Sequence, residues 1–111
     1  MTETEFLSLA DSTLVAIEAA LERAASETDL DVECTRSGNV LEIEFIDNGT
    51  KIIVNSQAAM QEIWVAAKAG GFHYKQQDGQ WRNTRDGSEL FAALSTLSSG
   101  QAGMPVALNP Q

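Results

Sequence analysis

The sequence predicts an α+β fold, a two-layer sandwich with an N-terminal and a C-terminal helix on one face of an antiparallel sheet of about six strands. Apolar residues recur with a period near 3.6 at both ends of the chain and with a period of two between them. The predicted strands are joined by short turns, which make neighbouring strands antiparallel. Two helices on one face leave the other face of the sheet in water.

The first helix is predicted from about residue 3 to about Ala25. Thr2 and Glu5 have the spacing of a capping box, which marks a helix start. Apolar and small residues then recur on one face, which is expected to lie in the core. These residues are Phe6, Leu9, Ala10, Thr13, Leu14, Ile17, Leu21 and Ala24.

Short alternating segments predict the strands that follow this helix. They are residues 30–34, 41–45, 51–55, 61–66, 72–75 and 80–83. The Asp47-Asn48-Gly49 and Asp78-Gly79 sequences between them are typical of hairpin turns.

The second helix is predicted from a second capping-box spacing, between Asp86 and Glu89. Gly100 is the predicted C-terminal stop of this helix. Residues 101–111 form a tail with apolar residues between two prolines, so we expect it either to fray or to lie along a groove.

Length and charge restrict the possible functions. A chain of 111 residues is expected to form one domain, residues 1–111. Its formal net charge of −9 argues against nucleic acid and anionic membranes as partners, and favours cations or basic protein surfaces. No apolar run approaches the ~20 residues of a membrane span, and the acidic start does not resemble a signal peptide. We therefore expect a cytoplasmic protein.

Acidic residues concentrate on one side of the first helix and in the segment after it. If this helix and the first strand are antiparallel neighbours, six acidic residues form one surface, here named the acidic ridge. They are Asp11, Glu18, Glu22, Asp29, Asp31 and Glu33, the last three on one face of the first predicted strand. Carboxylates alone suit iron, Mn²⁺ or Ca²⁺ better than zinc. A solvated surface without a ligand is the alternative.

The remaining reactive side chains indicate no catalytic site. Cys34 alternates with Leu30 and Val32, so it is predicted to be a small buried hydrophobe rather than a disulfide partner. His73 follows Phe72 in a predicted strand and is expected to be a structural or surface residue. No nucleophile has a nearby base, and no glycine loop has phosphate-binding spacing. An enzyme is therefore not expected.

Several stretches of the chain resemble the bacterial frataxin family, of the CyaY type. The most specific is Asn55-Ser-Gln57 followed by Ile63-Trp64 and then by Gly70-Gly71-Phe72-His73-Tyr74. Further similarity lies in Glu5-Phe6, Leu9-Ala10-Asp11, Ile17-Glu18, Asp29-Leu-Asp31, Val40-Leu41, Lys51–Val54 and Trp81. The similarity runs over nearly the whole chain.

The resemblance implies the frataxin sandwich and a role in iron–sulfur cluster assembly. It implies weak, exchangeable binding of Fe²⁺ or Fe³⁺ on the acidic ridge, with Glu3 and Glu5 as outliers, and docking on a cysteine desulfurase and its scaffold protein. It places Asn55, Gln57 and Trp64 on the open face of the sheet, towards that partner, and implies a monomer in the absence of metal.

Two other functions remain open from the sequence. One is an acidic adaptor that docks on a basic protein surface without a physiological metal. The other is a ferroxidase, which would have to oxidise Fe²⁺ faster than the uncatalysed reaction.

Overall fold

The predicted order of helix, six strands and helix is present in the computed structural model, which describes residues 1–110. The helices are α1 (Glu3–Glu27) and α2 (Leu90–Ala102). The strands are β1 (Val32–Ser37), β2 (Val40–Phe45), β3 (Thr50–Gln57), β4 (Glu62–Ala67), β5 (Gly70–Gln77) and β6 (Gln80–Asn83). All neighbouring strands pair antiparallel, in the sheet order β1-β2-β3-β4-β5-β6. The α+β sandwich is confirmed.

The capping box at the start of α1 is confirmed by both of its hydrogen bonds. The Thr2 backbone N–H donates to Glu5 Oε1 at 2.8 Å, and the Glu5 backbone N–H donates to Thr2 Oγ1 at 3.1 Å. The predicted apolar face is buried except for the half-buried Leu9, and the helix continues two residues past the predicted end, to Glu27. This face packs on the sheet, and α1 is the longer of the two helices in the helical layer.

Burial alternates along the strands and separates two faces of the sheet. On β2, Leu41, Ile43 and Phe45 are buried beneath the helices, whereas Glu42 and Glu44 face the other way. The face without helices is here named the open face. Because side chains alternate strictly, each strand contributes every second residue to it.

The helical layer is joined to the far edge of the sheet through Trp81 on β6. Its indole Nε1–H donates to Thr13 Oγ1 of α1 at 2.9 Å. Its ring also packs edge-on against Phe6, with ring centroids 6.0 Å apart. Only 5 % of Trp81 is exposed, so this tryptophan belongs to the core.

The first strand begins later than predicted, at Val32 rather than at Leu30. Leu30 is buried in the connection from α1, where its backbone N–H donates to Thr28 Oγ1 at 3.1 Å. Asp29 and Asp31 therefore lie before the strand and not on one of its faces.

The predicted boundaries of α2 were wrong at both ends. Glu89 is the N-cap, since its carboxylate accepts from the backbone N–H groups of Phe91 and Ala92 at 2.8 and 3.1 Å. Asp86 instead accepts from the Ser88 backbone N–H and hydroxyl. Gly100 lies inside the helix, which ends at Gly103 with a left-handed φ of 70°.

Residues 103–110 of the C-terminal tail lie along a groove rather than fraying, and Gln111 is outside the described residues. Val106 and Leu108 are buried in the core. The Ser99 and Ser95 hydroxyls of α2 each accept from a tail N–H at 2.8 Å, from Val106 and Leu108 respectively. The Ser99 hydroxyl donates back to the Val106 carbonyl at 3.1 Å, whereas the Ser95 hydroxyl is closer to the Phe91 carbonyl, at 2.8 Å, than to the Leu108 carbonyl, at 3.2 Å. Arg23 of α1 donates to the Asn109 carbonyl at 3.1 Å. The tail is thus held by both helices.

We expect Leu108→Ala to lower the free energy of unfolding by about 2–3 kcal/mol, because it empties a buried leucine site. Urea denaturation followed by circular dichroism measures this loss. Ala107→Ser changes the exposed neighbour and should stay within about 0.5 kcal/mol of the wild type. Equal stability of Leu108→Ala and the wild type would show that the tail is not part of the core in solution.

Candidate functional site

A row of side chains crosses the centre of the open face. The strand register places Asn55 on β3 opposite Trp64 on β4, and Trp64 opposite His73 on β5. In the adjacent row, Gln57 stands opposite Glu62, and Glu62 opposite Lys75. The fold therefore brings together Asn55, Gln57 and Trp64, the three residues that the resemblance placed on this face.

Trp64 lies on the open face and is half-buried. Its neighbours Ile63 and Val65 point into the core on the other side of β4. The indole stacks on the His73 imidazole, with ring centroids 4.4 Å apart and planes 8° from parallel. Its Nε1–H donates to Glu62 Oε1 at 2.7 Å. The ring is thus held in place by one polar anchor and one stacking partner.

Glu62 is the member of this site that the sequence analysis missed. Only 5 % of the residue is exposed, although it lies on the uncovered face of the sheet. Its carboxylate oxygens are 3.5 Å from His73 Nδ1 and 3.7 Å from Lys75 Nζ, in addition to the indole hydrogen bond. The available signal was its position two residues before Trp64, which puts both side chains on one face of a strand.

The acidic ridge begins on α1, which runs antiparallel beside β1. Asp11, near the start of the ridge, forms an ion pair with Arg36 of β1. Glu18 and Glu22 lie closer to Cys34: burial of the thiol, aided by the charges of these two carboxylates, raises the pKa of Cys34 to about 12. Cys34 is half-buried against the core, and at neutral pH it is a neutral thiol and a poor nucleophile.

The other three ridge residues do not share one strand face as predicted. Asp29 and Asp31 are exposed in the connection before β1. Glu33 points to the open face, opposite Glu44 of β2 in the register. Glu42 of the same face pairs with Lys51 at 3.3 Å. The acidic surface therefore extends from α1, over the connection before β1, to the open face of β1 and β2.

Within residues 1–110, no three aspartate, glutamate, histidine or cysteine side chains lie close enough together to hold one metal ion. The ridge carboxylates are spread along a helix, a connection and a strand. A hard cation on this surface would therefore keep water in most of its coordination positions. Such an arrangement permits exchangeable binding and provides no closed metal cage.

Charge divides the chain into two unequal parts. Residues 1–49 carry twelve acidic and two basic side chains, a net charge of −10, whereas residues 50–111 carry four acidic and five basic ones, a net charge of +1. The α1–β2 side of the molecule is therefore strongly acidic, and the row of Asn55, Trp64 and His73 lies on β3–β5, in the nearly neutral part next to it.

Comparison with known proteins agrees with this geometry. The frataxin-like domain profile matches residues 1–104. The chain belongs to the frataxin family. A similar protein is the iron-sulfur cluster assembly protein CyaY of Herminiimonas arsenicoxydans, 71 % identical over 97 % of this chain and 96 % of the relative. The CyaY of Ralstonia nicotianae is 56 % identical over 97 % of this chain and 95 % of the relative. The family takes part in iron–sulfur cluster assembly.

Solved frataxins share the architecture of this frataxin-like chain. The frataxin of Psychromonas ingrahamii superposes with a TM-score of 0.87 at 32 % identity, covering 98 % of this chain and 99 % of the other. A trimeric frataxin from Saccharomyces cerevisiae, in a complex with ferrous iron, superposes at 0.69 with 24 % identity over 84 % of this chain and 83 % of the other, which supports the fold. Among residues 1–110, neither helix is long and apolar enough to cross a membrane.

We expect the two tryptophans to differ sharply in their contribution to stability. Trp81→Ala should lower the free energy of unfolding by about 3–5 kcal/mol, because it empties a core site. Trp64→Ala should lower it by about 1–2 kcal/mol, mainly because it removes the indole donor from the buried Glu62 carboxylate. Urea denaturation of both variants measures the difference. Equal losses would show that Trp64 is held as a core residue.

Proposed function

We propose that this chain binds iron weakly on the acidic ridge and docks on a cysteine desulfurase and its scaffold protein. In this role it acts in iron–sulfur cluster assembly as an iron-linked regulator or as an iron donor. Iron is its cargo rather than a resident cofactor. The names of the CyaY relatives and the ferrous complex of a yeast frataxin support this proposal.

The observation that carries the metal part is the lack of compensating cations on the ridge. Of its six carboxylates, Asp11 alone has an ion-pair partner among the residues described by the structure. Glu18 and Glu22 are like charges one helical turn apart, which costs about 0.2–0.5 kcal/mol. A bound cation would relieve this repulsion. The ridge side chains are also accessible, since all but the half-buried Glu18 are exposed.

The docking part is supported by the open face. Trp64 offers an aromatic ring already ordered by Glu62 and His73, so a partner that covers it would not have to order it. Asn55 and Gln57 lie beside it on β3 with half-buried amide side chains. The adjacent acidic surface would steer the molecule towards a basic patch on the partner.

A second candidate is an acidic adaptor with no physiological metal. The separation of the ridge carboxylates favours it, since no three of them form a metal-binding group within residues 1–110. Both candidates use the same docking surface, so metal titration distinguishes them.

We expect Mn²⁺, as a probe for Fe²⁺, to broaden the NMR signals of Glu18, Glu22, Asp29, Asp31 and Glu33 before those of His73. Glu18→Gln with Glu22→Gln should weaken this binding while thermal stability is unchanged or slightly raised, because repulsion of about 0.2–0.5 kcal/mol is removed. The protein should not make Fe²⁺ consume oxygen faster than Fe²⁺ does without it.

The matched control is Asp47→Asn with Asp78→Asn, which removes the same charge from two exposed turns. Asn tolerates the positive φ of 54° at position 78. This variant should bind Mn²⁺ like the wild type. Equal weakening in both double variants would show that net charge, and not the ridge, attracts the cation.

Docking on the desulfurase complex should weaken as salt shortens the Debye length below about 8–10 Å. Trp64→Ala should lower affinity by about 2 kcal/mol, as for a central interface aromatic. The salt dependence of this variant should match that of the wild type. Titration calorimetry at several salt concentrations measures both quantities.

Val15→Ala provides the control for loss of exposed apolar surface. Val15 is 51 % exposed on α1, away from the open face. Its substitution should leave docking unchanged. If Trp64→Ala binds with full affinity, the open face is not part of the interface. If affinity does not depend on salt, the acidic ridge does not contribute to docking.

A further inference from the structure

The Glu62 carboxylate is an unusual group for an uncovered sheet face. Its side chain is 6 % exposed, and carboxylates are rarely so buried without partners. The Trp64 indole N–H donates to it at 2.7 Å, and two basic nitrogens lie nearby, His73 Nδ1 at 3.5 Å and Lys75 Nζ at 3.7 Å. The hydrogen bond of the Lys75 ammonium goes to the Met60 carbonyl at 3.2 Å rather than to Glu62.

Among the residue types around Glu62, histidine is the one whose ordinary change of charge falls near neutral pH. The charged groups around His73 come from three segments: Glu62 from β4, Lys75 from β5, and Arg85 and Asp86 after β6. The last two share with it a small cavity of about 150 Å³. From β3, on the far side of Trp64, the row contributes uncharged Asn55.

We infer that Glu62 and His73 are positioning residues of the docking face, and that they couple docking to the uptake of one proton by His73. The inference rests on the proposed docking of the open face. It deepens that proposal, because it makes the stacked pair of Trp64 and His73 a proton-linked element of the interface.

Whether docking favours protonated or neutral His73 depends on which groups the partner removes from water. In the free protein the His73 side chain is 49 % exposed, whereas the Glu62 carboxylate is already out of water. A partner placed over Trp64 removes water from the imidazole edge and lowers the local dielectric. The attraction between carboxylate and imidazolium then increases, while the carboxylate itself loses little further hydration. An imidazolium on the indole face adds a cation–π attraction. Covering also removes part of the hydration of the imidazolium, which by itself favours the neutral ring. The inference requires the attractions of Glu62 and of the indole face to exceed this cost, so that docking favours protonated His73.

The first measurement uses the free protein. His73 is the single histidine of the sequence, so its ring signals report its titration by NMR without reassignment. The Trp64 indole N–H signal should shift with the same midpoint, because the two groups share Glu62. In Glu62→Gln this shared response should disappear. An indole signal in the wild type that ignores the His73 titration would overturn the coupling, whatever the partner does.

The second measurement is calorimetric titration of the desulfurase and scaffold at fixed ionic strength. Between about pH 8 and about pH 6, wild-type affinity should rise roughly three- to tenfold, the effect of one charge-assisted hydrogen bond. Titration in two buffers of different ionisation enthalpy should show proton uptake on docking. His73→Gln should remove both the extra rise and the uptake.

Lys51→Gln is the matched control, since it also removes a cation from the open face but one that pairs with Glu42 at 3.3 Å. Its pH dependence should parallel that of the wild type. Equal pH dependence in the wild type and in His73→Gln would overturn the inference and leave the proposed docking intact. Absence of wild-type binding at every pH would overturn the docking and, with it, this inference.

Discussion

The sheet is covered on one face only, and this constraint organises the rest of the molecule. Two helices and a tail bury the inner face, where Leu41, Ile43 and Phe45 alternate with outward-facing residues. Every second residue of the six strands then faces solvent, so these positions must suit an exposed surface. Most of these positions carry polar or charged side chains. Trp64 is the large aromatic exception, and the fold accommodates it by stacking it on His73 and anchoring it on Glu62.

The same constraint separates stability from function. The inner face contains the apolar packing, including the Trp81 contact with Phe6 and its hydrogen bond to Thr13. The outer surface carries features that oppose stability, such as like charges on successive turns of α1 and Glu33 opposite Glu44. Local conflicts of this kind are expected at functional surfaces and are tolerated where packing elsewhere compensates. The acidic ridge and the Trp64 row both lie outside the core.

The sequence predicts the elements whose signals are local. The capping box and period of α1, and the Asp78-Gly79 hairpin, depend on residues within a few positions of one another. The start of α2 was mispredicted because aspartate is a preferred N-cap residue and glutamate is not. In the structure Ser88 hydrogen-bonds to Asp86 and leaves the helix N-terminus to Glu89. The helix passes through Gly100 because Gly103, three residues later, supplies the left-handed end.

The candidate site was less accessible to such reasoning. The position of Trp64 on the open face came from the resemblance, since an isolated strand tryptophan is more often buried. The environment of Glu62 depends on the pairing of β4 with β5, which no pattern within β4 specifies. Likewise, the separation of Asp29 and Asp31 from Glu33 depends on where β1 begins pairing with β2, at Val32 opposite Phe45.

The contacts of α1 also bear on the order in which the protein can fold during synthesis. Thr13 finds its indole donor 68 residues later in the chain, and Arg23 its carbonyl acceptor 86 residues later. At ribosomal elongation rates of about 5–20 residues per second, these partners are synthesised roughly 3–17 s after the α1 residues that they contact. The strands, by contrast, pair with their immediate successors and can form a meander as they emerge. The nascent chain therefore presents an amphipathic acidic helix before its sheet is complete, and this is the interval in which it most needs protection from association with other chains.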